Sequence, residues 1–171
     1  ASIYDKDAPT PPEKILQMGI PILGICLGMQ WLAQKFGAIV APRLNERGYG
    51  SSTFRALEMA DPLFQDFPSA STVWESHGDS VMSLPKTCEH LGNTHHCAVA
   101  AIRIKEMDVW GLQFHPEVAD TVFGSQIFKN FLRICGAQED WKPADLICGI
   151  REQVQRDIPP DEKCILGFSG G

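Results

Sequence analysis

The period of the apolar positions changes several times along this chain, and each change predicts an element. Residues 20–25, "IPILGI", form an unbroken apolar run of the kind expected for a strand covered on both faces. From Leu27 the period lengthens. Met29, Leu32, Ala33 and Phe36 fall three and four apart, which predicts a helix closed by Gly37. "PEKILQMG" (12–19) predicts a shorter helix ended by Gly19, while "TVWES" (72–76), "CAVAAIRI" (97–104) and "DVWGLQF" (108–114) read as strands. "SQIFKNFLRICG" (125–136) returns to the helical period through Ile127, Phe128, Phe131, Leu132 and Cys135, ending at Gly136. Strands alternating with helices predict an α/β fold with a mostly parallel sheet and flanking helices.

The character changes after Gly136. "AQEDWKPADL" is polar and carries a proline, "ICGIREQVQRDI" predicts a charged helix, and "PPDEKCILGFSGG" reads as a turn, a strand and a glycine loop. The expected division is a first domain over residues 1–136, a linker over 137–142, and the opening elements of a second α/β domain over 143–171. The first residue is not Met and the last is inside a glycine loop, so the chain reads as a piece of a longer protein.

Composition narrows the function classes. The chain has 171 residues, is 44% hydrophobic and carries a formal charge of -6, from 15 basic and 21 acidic side chains. That balance argues against a nucleic acid or an anionic membrane as partner, and no apolar stretch approaches the roughly 18 residues of a membrane span. A cytoplasmic location is the expectation. The six cysteines (Cys26, Cys88, Cys97, Cys135, Cys148, Cys164) include no CxxC pair, which predicts reduced thiols.

Cys26 is the cysteine with a chemical setting. It lies between Gly24 and Gly28 where a strand turns into a helix, a corner that thrusts a side chain out at the carboxyl end of the strand. At a helix N-terminus the dipole favours a thiolate, and free N–H groups can hold an oxyanion. A thiolate nucleophile needs a base, and the base needs an orienting acceptor. "QFHPE" supplies both, because proline holds the preceding residue extended and so directs His115 and Glu117 to one side. His77, in "WESHGDS", competes as base but lacks a conformation-fixing proline. "CEHLGNTHHC" (88–97) raises the question of zinc; its spacing matches no common finger and it reads as a loop, so no metal is expected. Trp31, Trp74, Trp110 and Trp141, with no basic residues interleaved, read as packing residues.

"GICLGMQ", "SHGD" and "QFHPEV", in this order, resemble the class I, triad-type glutamine amidotransferases. "SIYDKDAP", "NERGYG", "WKPA" and the closing "ILGFSGG" narrow the resemblance to the glutamine-hydrolysing GMP synthases. The resemblance implies a flavodoxin-like glutaminase domain in which Cys26 is the nucleophile, His115 the base and then acid, and Glu117 the orienting carboxylate. Leu27 would supply one oxyanion donor through its N–H. Gln30, Ser76, His77 and Asp79 would contact the glutamine substrate.

It further implies an ATP-dependent ligase of purine nucleotide biosynthesis that aminates XMP with the released ammonia. ATP and Mg²⁺ would serve the second domain through a phosphate loop beginning at Ser169, Gly170 and Gly171. No cofactor is expected in the glutaminase domain, and a homodimer is possible within such a family. The family's front portion, with a glycine loop carrying the second oxyanion donor, has no counterpart before Ala1, so these residues alone are expected to form a weak glutaminase. An amidotransferase component of another pathway, such as anthranilate synthesis, and a non-catalytic partner-binding module are the rival readings.

Overall fold

The computed structural model describes residues 2–42, 48–138, 142–158, 162, 163 and 165. By its contacts the chain divides into two compact units, Ala1–Ala137 and Gln138–Gly171.

In the first unit a 3₁₀ turn over Glu13–Gln17 leads to β1 (Ile22–Ile25), and Cys26 turns the chain into α1 (Leu27–Lys35). The strands β2 (Ile39–Pro42), β3 (Gly48–Ala56), β4 (Ala70–His77), β5 (Asp79–Ser83), β6 (Cys88–Asn93), β7 (Ala101–Ile104) and β8 (Val109–Leu112) follow, and α2 (Gly124–Ile134) closes the unit. Six strands form one sheet in the order β1-β8-β7-β6-β3-β4, and β2 pairs with β5 in a second, two-stranded sheet.

The α/β class holds, but the sheet is mixed rather than mostly parallel. Among the described pairings only β1 with β8 is parallel; β8–β7, β7–β6, β6–β3 and β3–β4 are antiparallel. Connection length explains this. A parallel pair needs a crossover of about a dozen residues or more, whereas β7 reaches β8 through the short turn at 105–108, where Glu106 takes a positive φ of 61°.

Both faces of the sheet are covered. On one face Met29, Leu32 and Ala33 of α1 meet Ile102, Ile104 and Val109. On the other Trp110, Leu112 and Phe114 meet Phe54, Phe64, Leu91 and Ile127 of α2. The strand period of two sorts these sets: Trp110 and Leu112 face α2, while Gly111 between them faces Met29 so closely that a Cβ would lie 2.7 Å from its Cγ. This double coverage makes β8 apolar throughout its length.

Several expectations shift. "PEKILQMG" is a 3₁₀ turn with no buried residue. "CEHLGN" is strand β6 rather than loop, and of "CAVAAIRI" only Ala101–Ile104 is strand. In α2 Leu132 is 54% exposed and Cys135 is exposed. Asn130 takes an inward place instead, its amide donating to the carbonyls of Leu63 at 2.9 Å and Gln65 at 2.7 Å. A local period cannot reveal that a loop 65 residues away offers unpaired carbonyls.

In the second unit α3 (Pro143–Asp157) begins with proline in its first turn and exposes Leu146, Ile147, Ile150 and Val154. Ser169, Gly170, Gly171, Cys164 and Trp141 lie outside the described residues.

Candidate active site

Cys26 sits at the corner between β1 and α1 with φ 51° and ψ -106°, a conformation that L residues rarely adopt. Such backbone costs on the order of 1–3 kcal/mol and persists only where its surroundings enforce it. The two glycines around it differ. A Cβ on Gly24 would stand 2.8 Å from the Gly28 backbone carbonyl and 2.5 Å from Leu32 Cδ1, so Gly24 lets the helix lie directly on the strand. A Cβ on Gly28 would meet nothing within 4 Å, which leaves open space beside the first turn. Cys26 N–H donates to the Leu112 carbonyl at 2.7 Å, continuing the β1–β8 register past the strand end.

The sheet curls far enough to bring its two edges together. The Cys26 thiol, at the end of edge strand β1, donates to the carbonyl of Ser76 on the opposite edge strand β4 at 3.7 Å. His115 N–H donates to the carbonyl of Trp74, two residues earlier on β4, at 2.9 Å. Cysteine and histidine are therefore tied to neighbouring carbonyls of one strand. The ring of His115 points its Nδ1 at Glu117 Oε1, 2.6 Å away, while its Nε2 is buried and has no hydrogen-bond partner. A carboxylate on Nδ1 fixes the tautomer and leaves Nε2 able to take a proton.

Two residues to which the sequence assigns no role hold this loop. Thr121 is buried; its hydroxyl accepts from Trp74 N–H at 3.0 Å and donates to the His115 carbonyl at 2.6 Å, closing a ring between β4 and the histidine backbone. Gly124, at the start of α2, lies where a Cβ would come within 1.9 Å of the Pro116 carbonyl oxygen. Only the spacing from "HPE" to "T" and "G" marks them in sequence, and that spacing has no general meaning without the fold.

The thiol is less acidic than a helix N-terminus alone suggests. Burial pushes the Cys26 pKa up, outweighing the Leu27 N–H and the Gln113 amide that favour the thiolate, and the nearby Glu117 charge pushes the same way as burial. The resting sulfur is then a neutral thiol, and a base is required to activate it.

The expected substrate-binding residues divide. On β4 the odd positions Ser71, Val73, Glu75 and His77 are buried and Thr72 and Ser76 are exposed. Strand alternation thus puts the Ser76 and His77 side chains on opposite faces, and it is the Ser76 main-chain carbonyl that meets the Cys26 thiol. His77 turns inward. Its Nδ1 meets the Asp79 carbonyl at 3.0 Å, its Nε2 meets Glu75 Oε1 at 3.4 Å, and a Cβ on Gly48 would stand 2.5 Å from that Nε2. Both ring nitrogens thus meet acceptors inside the fold. The Asp79 carboxylate accepts from Ser2 Oγ. Gln30 is 2% exposed, and its amide donates to the Asp79 carbonyl at 2.9 Å and to Gln113 Oε1 at 3.2 Å.

A separate buried group carries metal-ligating side chains. Among the described residues the ligand atoms of Glu75, His77 and Cys97 lie within 4.8 Å of one another. They already serve each other and their surroundings: Thr94 Oγ1 donates to Glu75 at 2.8 Å and the Cys97 thiol to the Val99 carbonyl at 3.1 Å. The "CEHLGNTHHC" stretch contributes only Cys97 to it, while His90 pairs with the Gly92 carbonyl at 3.0 Å.

A strand-to-helix cysteine and a His–Glu pair, both anchored to one strand of a curled mixed sheet, agree with the likeness of this chain to known proteins. The model of the family described as glutamine amidotransferase class-I matches residues 3–135. This chain belongs to that family. Proteins named GMP synthase (glutamine-hydrolyzing) from Thermosipho africanus and Streptococcus thermophilus are 41% and 42% identical to it, over 100% and 99% of this chain. The chain spans about a third of their length, 33% and 32%. Among solved structures, a Thermoplasma acidophilum protein assigned to the GMP synthases superposes with a TM-score of 0.67 at 32% identity, covering 81% of this chain and 64% of that one. A Thermotoga maritima glutamine amidotransferase gives 0.57 at 26% identity, covering 85% and 59%. The first unit is thus a class I amidotransferase domain, and the α/β architecture is that of its relatives. No described helix is long and apolar enough to cross a membrane.

Proposed function

We propose that this domain hydrolyses glutamine through a Cys26 thioester and that the ammonia serves the ATP-dependent amination of XMP to GMP. The observation that carries the reading is the joint anchoring of Cys26 and His115 on β4, with Glu117 on the far ring nitrogen of His115. In this reaction the thiol proton passes to His115 Nε2 as sulfur attacks the γ-carboxamide carbon. The oxygen that becomes negative is met by the Leu27 N–H, which already leans toward the sulfur at the helix start. His115 then returns the proton to the departing nitrogen, ammonia leaves, and water cleaves the thioester to glutamate with His115 again as base. Ser76, Gln30 and the backbone around Asp79 would form the wall that holds the substrate.

The names of relatives matched over the whole chain support the GMP-forming step. ATP and Mg²⁺ would act in the remainder of the protein, and the residues Ser169, Gly170 and Gly171 expected to meet ATP fall outside the described structure. The deciding experiment uses the full-length protein with glutamine or ammonium as nitrogen donor. Cys26→Ala should abolish GMP formation from glutamine and leave formation from ammonium intact. Retention of glutamine use by that variant would overturn the assignment of the nucleophile, and failure of the unsubstituted protein to form GMP from either donor would overturn the pathway.

A further inference from the structure

Three buried groups fix one another's orientation in a chain that ends at the reactive sulfur. The Asp79 main-chain carbonyl can only accept, so the Gln30 side chain must present its NH₂ there, at 2.9 Å. The same NH₂ lies 3.2 Å from the Gln113 side chain, which must therefore present its oxygen. Gln113 is fully buried, with its remaining amide end, the NH₂, 3.7 Å from Cys26 Sγ. The orientation of that amide follows from which neighbours can donate, independent of how oxygen and nitrogen are told apart.

We infer that Gln113 is a catalytic residue: its side-chain NH₂, locked by Gln30 against the Asp79 carbonyl, donates to the Cys26 sulfur and holds the thiolate while it attacks and again when it leaves the thioester. The inference rests on Cys26 being the nucleophile. The geometry suits it, because sulfur gains full negative charge only on deprotonation, and a charged acceptor strengthens a hydrogen bond that is weak to a neutral thiol. It also divides the work around the sulfur. Leu27 N–H approaches from α1, Ser76 offers only an acceptor and so favours the protonated thiol, and the titratable neighbours on the loop after β8 are His115 and Glu117. On β4, His77 Nδ1 meets at 3.0 Å the same Asp79 carbonyl that receives the Gln30 amide, and Glu75 Oε1 lies 3.4 Å from His77 Nε2. Gln113 is a side-chain donor that does not itself titrate, so its support follows the charge on the sulfur alone.

The test reads the sulfur directly. The rate of Cys26 alkylation by iodoacetamide, followed on the Cys26 peptide by mass spectrometry without glutamine, is measured against pH in the full-length protein. Gln113→Met keeps length and removes the donor; the midpoint should move up by about one pH unit, the scale of a single hydrogen bond to a charged group. Gln113→Glu swaps one atom for another of like size and should move it further, since an anion then faces the sulfur. Gln30→Met, which leaves Gln113 present but unlocked, should produce a smaller shift in the same direction. Glutamine hydrolysis by Gln113→Met should fall about tenfold at pH 7 and recover as pH rises. An unchanged alkylation midpoint in either folded Gln113 variant would overturn the inference. Because alkylation needs no turnover, that failure is distinct from Cys26 proving dispensable for glutamine use.

Discussion

The Thr121 hydroxyl bonds to the carbonyl of His115 at 2.6 Å, so the candidate base is held through its backbone by a residue six positions further on. Thr121→Val keeps the shape and strands both the His115 carbonyl and the Trp74 N–H. Stability should drop by about 1–3 kcal/mol, the cost of leaving buried polar groups unpaired. Glutamine turnover should fall more than affinity, because the histidine ring loses its aim rather than the substrate its wall. Thr121→Ser should restore both. Chemical denaturation together with a split of kcat from KM checks this; a Ser variant as impaired as the Val variant would refute it.

Gly24 and Gly28 flank Cys26 alike in sequence and differ in the structure. Gly24→Ala drives a methyl into the Gly28 backbone, and overpacking of this kind costs about 1–3 kcal/mol. Gly28→Ala enters open space, and helix propensity favours it by up to about 1 kcal/mol. Thermal unfolding should therefore separate the pair, with Gly24→Ala well below the parent and Gly28→Ala level with it or above. Equal losses at the two sites would contradict this packing.

Gly124→Ala should be the more damaging glycine change for activity. With a Cβ 1.9 Å from the Pro116 carbonyl oxygen, either α2 or the His115–Glu117 loop must move. Near-attack geometry tolerates little displacement, and a shift of about 1 Å can cost on the order of 10²-fold in rate. Glutamate release assayed beside circular dichroism tests it: a folded variant with full activity would show that the loop accommodates the methyl elsewhere.

Acid stability offers a check on the inward turn of His77. Burial pushes the Glu75 carboxyl up, but the hydrogen bonds from His77 and Thr94 outweigh it and hold the pKa below the ordinary value. A depressed carboxylate stabilises the fold above its unfolded pKa and loses that contribution as pH falls through the lower folded value. Glu75→Gln should flatten the decline of unfolding free energy below about pH 4.5, a window set by the ordinary range for glutamate. If parent and variant decline with equal slope, the Glu75–His77 pair contributes no pH-dependent stability.

Reagents can sort the thiols. Cys135 and Cys148 are exposed, Cys88 and Cys97 are buried, and Cys26 lies between. A general alkylator should reach Cys135 and Cys148 first, whereas a diazo-ketone glutamine analogue should modify Cys26, and glutamine should protect it. Peptide mapping that found the analogue chiefly at Cys88 or Cys97 would contradict the site.

Sequence by itself determined what depends on near neighbours. The β1 run, the α1 face of Met29, Leu32 and Ala33, the left-handed Gly37 at φ 93° and the His115–Glu117 pair all follow from contacts within a few residues. Tertiary structure decided what depends on distant ones. The sheet is mixed because connection lengths and curl, rather than the order of elements, choose each strand's partner. His77 faces inward because strand alternation set its parity and the bare backbone of Gly48 received its ring, while Ser76 beside it met the sulfur through its main-chain carbonyl. Gln113, Thr121 and Asn130 acquired their roles only where the fold brought a sulfur, a carbonyl or a loop within hydrogen-bond reach. A polar side chain's role is set by its partner, and a partner 50 or 87 positions away leaves no local pattern to read.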